Sequence, residues 1–156
     1  MNLSSKTDIE APLGFVFASL ADHAAWEREA AQRGVAVERP ADMPLSGPGA
    51  GWMIRAPFRG KQVSILMRLD QVVPNERLVF SIQSKAIEGG VVLSLIALSP
   101  RRTRLHLTMD IKPKSIAARL LLNTLRLAKT RVQKRLDGRV AQMGRQILDG
   151  FARSGG

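Results

Sequence analysis

Few side chains in this 156-residue sequence could carry chemistry. It has two histidines, no cysteine and no tyrosine, so thiolate nucleophiles, cysteine-based zinc sites, disulfides and phenolic acids are all excluded. His23 and Glu27 stand four residues apart and share one face of a helix. One imidazole and one carboxylate fall short of the ligand set a zinc ion takes, so no metal site and no cofactor is expected. His106 sits between Leu105 and Leu107 in a strand-like run, which turns its ring away from the apolar side. The chain contains no Gly-x-Ser-x-Gly elbow, no His-Glu-x-x-His pair and no phosphate-binding loop. Gly47, Gly49 and Gly51 lead into a strand and lack the helix N-terminus a phosphate cradle needs, so they read as a loop. Lys129 is the sharpest single residue: seven positions before Leu136, it falls on the same helical stripe as Leu125 and Val132 and is predicted to face inward. An inward ammonium needs a partner, such as a strand carboxylate or the polar head of a ligand. The remaining acid–base candidates near an interior are Arg55 and Asp70. This scarcity favours binding over catalysis, and no catalytic residue is assigned.

The elements that must position these groups follow from periodicity. Leu3 to Glu10 alternates as a strand; Ala11-Pro12 opens a short helix carrying Phe15, Val16 and Leu20; His23 to Arg33 forms a second, ended by Gly34. From Val35 the period becomes two, and six runs follow, centred on Val37, Ile54, Ile65, Phe80, Leu93 and Leu107. Short breaks at Gly60-Lys61, Pro74-Asn75-Glu76, Gly89-Gly90 and Pro100-Arg101-Arg102 imply antiparallel hairpins with one apolar face to cover. The cover is a proline-free segment capped by Ser115, with Ala118, Leu121, Leu125, Ala128, Val132, Leu136, Val140, Met143, Ile147 and Phe151 on one face. It is predicted as one helix of about 35 residues and about 50 Å, lying across the sheet. The whole, residues 1–156, is a single α+β domain.

This order resembles the helix-grip fold of the SRPBCC (START, Bet v1-like) superfamily, and in particular its small bacterial polyketide cyclase/dehydrase-like and coenzyme-Q-binding-like members. The resemblance is carried by Ile9-Glu10-Ala11-Pro12, Val16-Phe17, Leu20, Asp22 and Trp26 at the start, by Val73-Pro74-Asn75-Glu76-Arg77-Leu78-Val79-Phe80 at a strand-to-strand turn, and by Thr103-Arg104-Leu105. It implies about seven strands around a long C-terminal helix, with a hollow for an apolar or amphipathic ligand and the glycine-rich loop near its mouth. Strand parity and helix phase nominate Trp26, Trp52, Met67, Phe80, Leu121, Leu125 and Lys129 as its lining, while Met53, Met67, Met109 and Met143 are expected to face inward. The implied function is binding or transport of a lipid-, quinone- or polyketide-like molecule; the alternative is a polyketide cyclase/aromatase-type enzyme.

Twenty-four Lys and Arg against 13 Asp and Glu give a formal charge of +11. From Lys112 onward there are 11 basic and two acidic residues, so most of the excess lies on the C-terminal helix, with Arg101, Arg102 and Arg104 as a basic hairpin. An anionic membrane surface is the partner such a helix would attract. Nucleic acid is disfavoured, because five Phe and two Trp leave little aromatic surface for base stacking once a core is built. With no secretory signal and no apolar stretch of membrane-spanning length, the expectation is a soluble cytoplasmic protein, monomeric or homodimeric.

Overall fold

The computed structural model describes all residues, Met1–Gly156. Its elements run β1 (Asn2–Ile9), α1 (Leu13–Ala21), α2 (His23–Gln32), β2 (Ala36–Glu38), β3 (Gly51–Phe58), β4 (Lys61–Val73), β5 (Arg77–Gln83), β6 (Ile87–Ser99), β7 (Arg102–Pro113), α3 (Ile116–Leu127) and α4 (Lys129–Arg153). The seven strands form one antiparallel sheet in the order β1-β7-β6-β5-β4-β3-β2. The α+β helix-grip architecture expected from the sequence is present, including both short helices and every predicted strand. One local signal is corrected: Gly89-Gly90, expected as a break, lies inside β6 paired on both sides, and the turn falls at Ser84–Ala86, where the Ser84 hydroxyl accepts the Ile87 N–H at 3.0 Å. The helix signals act as expected. Asp22 accepts the Ala25 N–H at 3.1 Å and starts α2, Ser115 accepts the Ala118 N–H at 3.1 Å and starts α3, and Gly34 follows α2 at φ 78°.

Cross-strand register assigns the faces. Trp52 pairs Met67, Met67 pairs Ile82, Ile82 pairs Gly89 and Gly89 pairs Ile111, so all share the concave face toward the helices. Leu78, Leu93, Leu107 and Ser5 form a second such row. Met53 pairs Leu66, one position out of phase with Trp52, and therefore faces the convex side; the expectation that it points inward is corrected by strand alternation itself. His106 is exposed opposite Lys6 and Ser94, as expected.

The C-terminal segment departs from the predicted single rod. The helix breaks at Ala128, whose φ −100° and ψ 28° lie outside the α-region and whose N–H donates to the Leu125 carbonyl at 3.1 Å, a tightened turn. Alanine has no breaking tendency of its own. The break falls where the chain stops packing against the end of β7 and turns to run along β1. There the Gln133 amide donates to the Ser4 carbonyl at 2.8 Å, the Ser5 hydroxyl donates to Asp137 at 2.6 Å, and Gly144 lies against Thr7 and Ile9, where a Cβ would come within 3.0 Å of Thr7 Cγ2. Thus α4 follows the outermost strand instead of crossing the sheet, and it occupies one backbone acceptor, the Ser4 carbonyl, that an edge strand would otherwise leave open.

Candidate functional site

Beneath the helices the concave face divides in two. Toward α1 and the C-terminal half of α4 it is solid. Ile9, Val16, Leu69, Leu78, Leu105 and Val140 have 0–1% exposure, and Phe15 and Phe151 meet edge-on at 5.0 Å between ring centres. Toward α3 and the start of α4 it is not. Val63, Ile65, Ile82 and Ile111 on the sheet and Leu121, Leu125 and Val132 on the helices are all inward-facing or flanking, yet each keeps accessible surface and none belongs to the packed core. The area of the whole molecule agrees. A compact chain of 17.1 kDa is expected to expose about 7,800 Å². This one exposes 9647 Å², roughly a quarter more, and only 20 of its 156 residues are buried. The concave face therefore keeps accessible aliphatic surface toward α3.

At the closed end stands a polar cluster built on Trp52, which has no exposed surface. One oxygen of Glu27 accepts both the Trp52 indole N–H at 2.7 Å and an Arg39 N–H at 2.8 Å. The Arg39 guanidinium lies 4.6 Å from the centre of a Trp52 ring, and its other arm donates to the Pro44 and Leu45 carbonyls of the glycine-rich loop. That loop is further tied to β4 by the Gly49 N–H, 2.7 Å from the Leu69 carbonyl. The His23 ring meets Trp52 edge-on at 4.9 Å, with Nδ1 buried and unpartnered, as is Arg39 Nε. Burial, and then the Arg39 charge, hold the His23 imidazole below the usual histidine range. Burial pushes the Glu27 carboxyl up, but the hydrogen bonds from Arg39 and Trp52 outweigh it and leave the group below the usual carboxylate range.

Four of the seven nominated residues come together on this wall. Trp26 lies 5.4 Å and Phe80 6.4 Å from Trp52 between ring centres, and Met67 is the cross-strand partner of Trp52. Trp52 and Phe80, at 0% and 7% exposure, are the base of the wall, whereas Trp26 and Met67 keep accessible surface. Leu121 and Leu125 stand half-buried on α3 and are not part of this wall. Lys129 does not join them. It is exposed at the first position of α4, beside Met1, Asn2, Leu3 and Arg126, because the non-helical turn at Ala128 resets the helical phase on which its inward orientation was predicted. Arg55 pairs Glu38 at 2.7 Å and Asp70 pairs Arg68 at 2.8 Å, both at the surface. A separate depression of about 410 Å³ crosses the convex face among Arg68, Ser81, Glu88, Asp110 and Lys112 and shares no side with the helices.

The Glu27–Trp52–Arg39 link was not anticipated from sequence. Its local trace is the spacing of His23 and Glu27, which puts both on one face of α2. The tryptophan and arginine arrive from 25 and 12 residues away, respectively.

No family model and no curated protein sequence matches the chain. Solved structures do match in shape. A protein designated TTHA0849 from Thermus thermophilus superposes with a TM-score of 0.72 at 16% identity, over 96% of this chain and 99% of that one. The ZhuI aromatase/cyclase from Streptomyces sp. R1128 gives 0.68 at 15% identity, over 94% and 93%. A START superfamily protein from Mycobacterium smegmatis gives 0.56 at 16% identity, over 91% and 98%. With an antiparallel sheet and a C-terminal helix packed on it, and these matches running through nearly its whole length, the chain shares the helix-grip fold of these solved structures.

Proposed function

We propose that the protein binds a small apolar or amphipathic molecule, of lipid, quinone or polyketide type, in the hollow between the concave sheet and α3–α4, as a binding or transfer module and not as an enzyme. The observation that carries this reading is the set of inward-facing or flanking aliphatic side chains left with accessible surface: Ile65, Ile82 and Ile111 on the sheet and Leu121 and Leu125 on α3. Exposed apolar surface in a concave setting is favourable to cover, at about 25 cal/mol per Å². Trp26, Met67, Leu121 and Leu125 are the proposed contacts, with Trp52 and Phe80 supporting them from behind. The scarcity of acid–base groups in the hollow supports binding over a cyclase-type reaction. The similarity to an aromatase/cyclase concerns shape, and shape does not transmit chemistry.

The test is native mass spectrometry of the freshly purified protein with organic extraction of whatever travels with it, joined to titration with the apolar fluorophore N-phenyl-1-naphthylamine. Saturable binding is expected, and Leu125→Trp and Ile82→Trp, each filling the hollow from one side, should abolish it. No extracted molecule and no saturable fluorophore binding would overturn the proposal.

A second reading, attraction to an anionic membrane surface, is supported by the pairing of the charges. Arg102 and Arg104 are neutralised by Asp8 and Glu10, at 2.8–3.5 Å. By contrast, Arg119, Arg126, Lys129, Arg131, Lys134 and Arg135 are all exposed and form no ion pair. From Arg119 to Arg135 the chain thus carries six unpaired cations and no acidic residue.

A further inference from the structure

Helix α3 is apolar on two opposite sides. Ala118 and Leu122 are buried against the body of the protein and Leu121 and Leu125 are half-buried. On the far side, Ile116, Leu120 and Leu127 are 81%, 62% and 92% exposed. At 3.6 residues per turn these three project within about 40° of one another, a single aliphatic ridge pointing away from the protein. Arg119 and Arg126 border the ridge, and Lys129 and Arg131 continue the positive charge past the break. A helix with two apolar faces and one partner lacks its second partner.

The sheet brings another exposed apolar group to the same end. The β4 residue Leu66 pairs Gln83, the last residue of β5, so positions 61–65 and the β3–β4 turn project beyond the β5–β6 turn. At the tip Phe58 is 46% exposed, with the Arg59 guanidinium 5.8 Å from its ring. The β5–β6 turn is tied to the chain two residues before α3, since the Lys114 ammonium donates to the Ser84 carbonyl at 2.9 Å, which puts α3 and the projecting hairpin on one rim. Val63 and Ile65, on the same strand face as Phe58, continue this apolar surface onto the concave face.

We infer that this rim is a membrane-insertion surface: the Ile116–Leu120–Leu127 ridge and the Phe58 tip enter the acyl boundary of an anionic leaflet while the flanking cations lie at its headgroups. The inference deepens the membrane reading above and rests on it. Charge and geometry select the occupant. Unpaired cations beside the ridge would repel a second copy of this face, and an interfacial helix combines an aliphatic side with flanking Lys and Arg in the manner seen here. A protein groove that takes a helix reads positions i, i+4 and i+7, but here the i+7 position from Ile116 is Asn123, a polar break in the row. A membrane, being fluid, needs no such register. The placement also gives an apolar ligand a path between bilayer and hollow that avoids water.

The experiment is co-sedimentation of the full chain with vesicles of phosphatidylcholine containing phosphatidylglycerol, against pure phosphatidylcholine, at low and high salt. Preferential, salt-sensitive binding to the anionic vesicles is expected. Leu120→Asp/Leu127→Asp should weaken it by about tenfold or more, while Ile96→Asp, at an equally exposed site on the opposite end of β6, should leave it intact. Leu120→Trp should show a blue-shifted emission component on anionic vesicles. If the aspartate variant binds as wild type does and the introduced tryptophan stays solvent-like, insertion is refuted, with charge attraction alone left standing. Absence of any anionic preference would sink both. Loss of a dimer in the aspartate variant, seen by sedimentation velocity without vesicles, would assign the ridge to a second copy and overturn the inference as well.

Discussion

Removing the Glu27 carboxylate should be among the more costly single changes in the protein, although it lies on a short surface helix. In Glu27→Ala the indole N–H of a tryptophan with 0% exposure loses its only acceptor. A hydrogen bond to a charged group contributes about 1.5–3 kcal/mol, and the unsatisfied donor stays buried. Arg39 loses its ion pair too. With the two side chains 21% and 29% exposed, that pair lies nearer a screened surface bridge than a buried one, and contributes about 1 kcal/mol. Together the loss is about 3 kcal/mol, which for a chain of this size lowers the melting temperature by roughly 6–12 °C. Glu27→Gln separates the contributions: its amide oxygen can still accept from Trp52, so only the ion pair is lost, at about 1 kcal/mol or roughly 2–4 °C. The assay is thermal denaturation by circular dichroism at pH 7, with near-ultraviolet spectra reporting the Trp52 environment. Equal melting temperatures for the alanine and glutamine variants, or a fall of less than about 2 °C for alanine, would show that the carboxylate does not hold the Trp52 cluster together.

Two further outcomes follow from the same contacts. His23 has a lowered pKa, chiefly through burial, so the folded state binds fewer protons than the unfolded one as pH falls through the ordinary histidine value of 6.5. Stability should therefore be fully present above that pH and decline below it toward the folded-state pKa; urea melts of His23→Leu between pH 5 and pH 7 should lack this slope, and a parallel slope in both proteins would refute it. Gly144→Leu should cost about 1–3 kcal/mol despite the better helix propensity of leucine, since even its Cβ would meet Thr7 and Ile9 at 3.0–3.4 Å and α4 would have to lift from β1. An unchanged or raised denaturation midpoint would mean that this contact is looser than the coordinates show.

Much of the fold was legible in the residues because its signals are local. Alternation at Trp52, Ile54 and Ala56 or at Leu105, Leu107 and Met109 names a strand face without reference to any other part of the chain, and the same parity, applied strictly, would have placed Met53 outside. Ser115 caps a helix through its own neighbours, three residues away. The inward prediction for Lys129 failed because it extended a local period across a point where the period stops. Nothing in Leu127-Ala128-Lys129 marks a break, and the turn exists because one half of the segment is held at β7 and the other along β1.

The candidate site divides along the same line. Composition and spacing by themselves determined that an apolar sheet face needed a helical cover, that dedicated catalytic groups were scarce, and that the excess positive charge belonged to the last third of the chain. Only the tertiary structure decided which cations are neutralised and which are free, that Glu27 joins Trp52 to Arg39, and that α3 carries a second, uncovered aliphatic row. Each of these depends on distances between residues remote in sequence or on which side of an element its neighbours leave empty, and a one-dimensional pattern fixes neither.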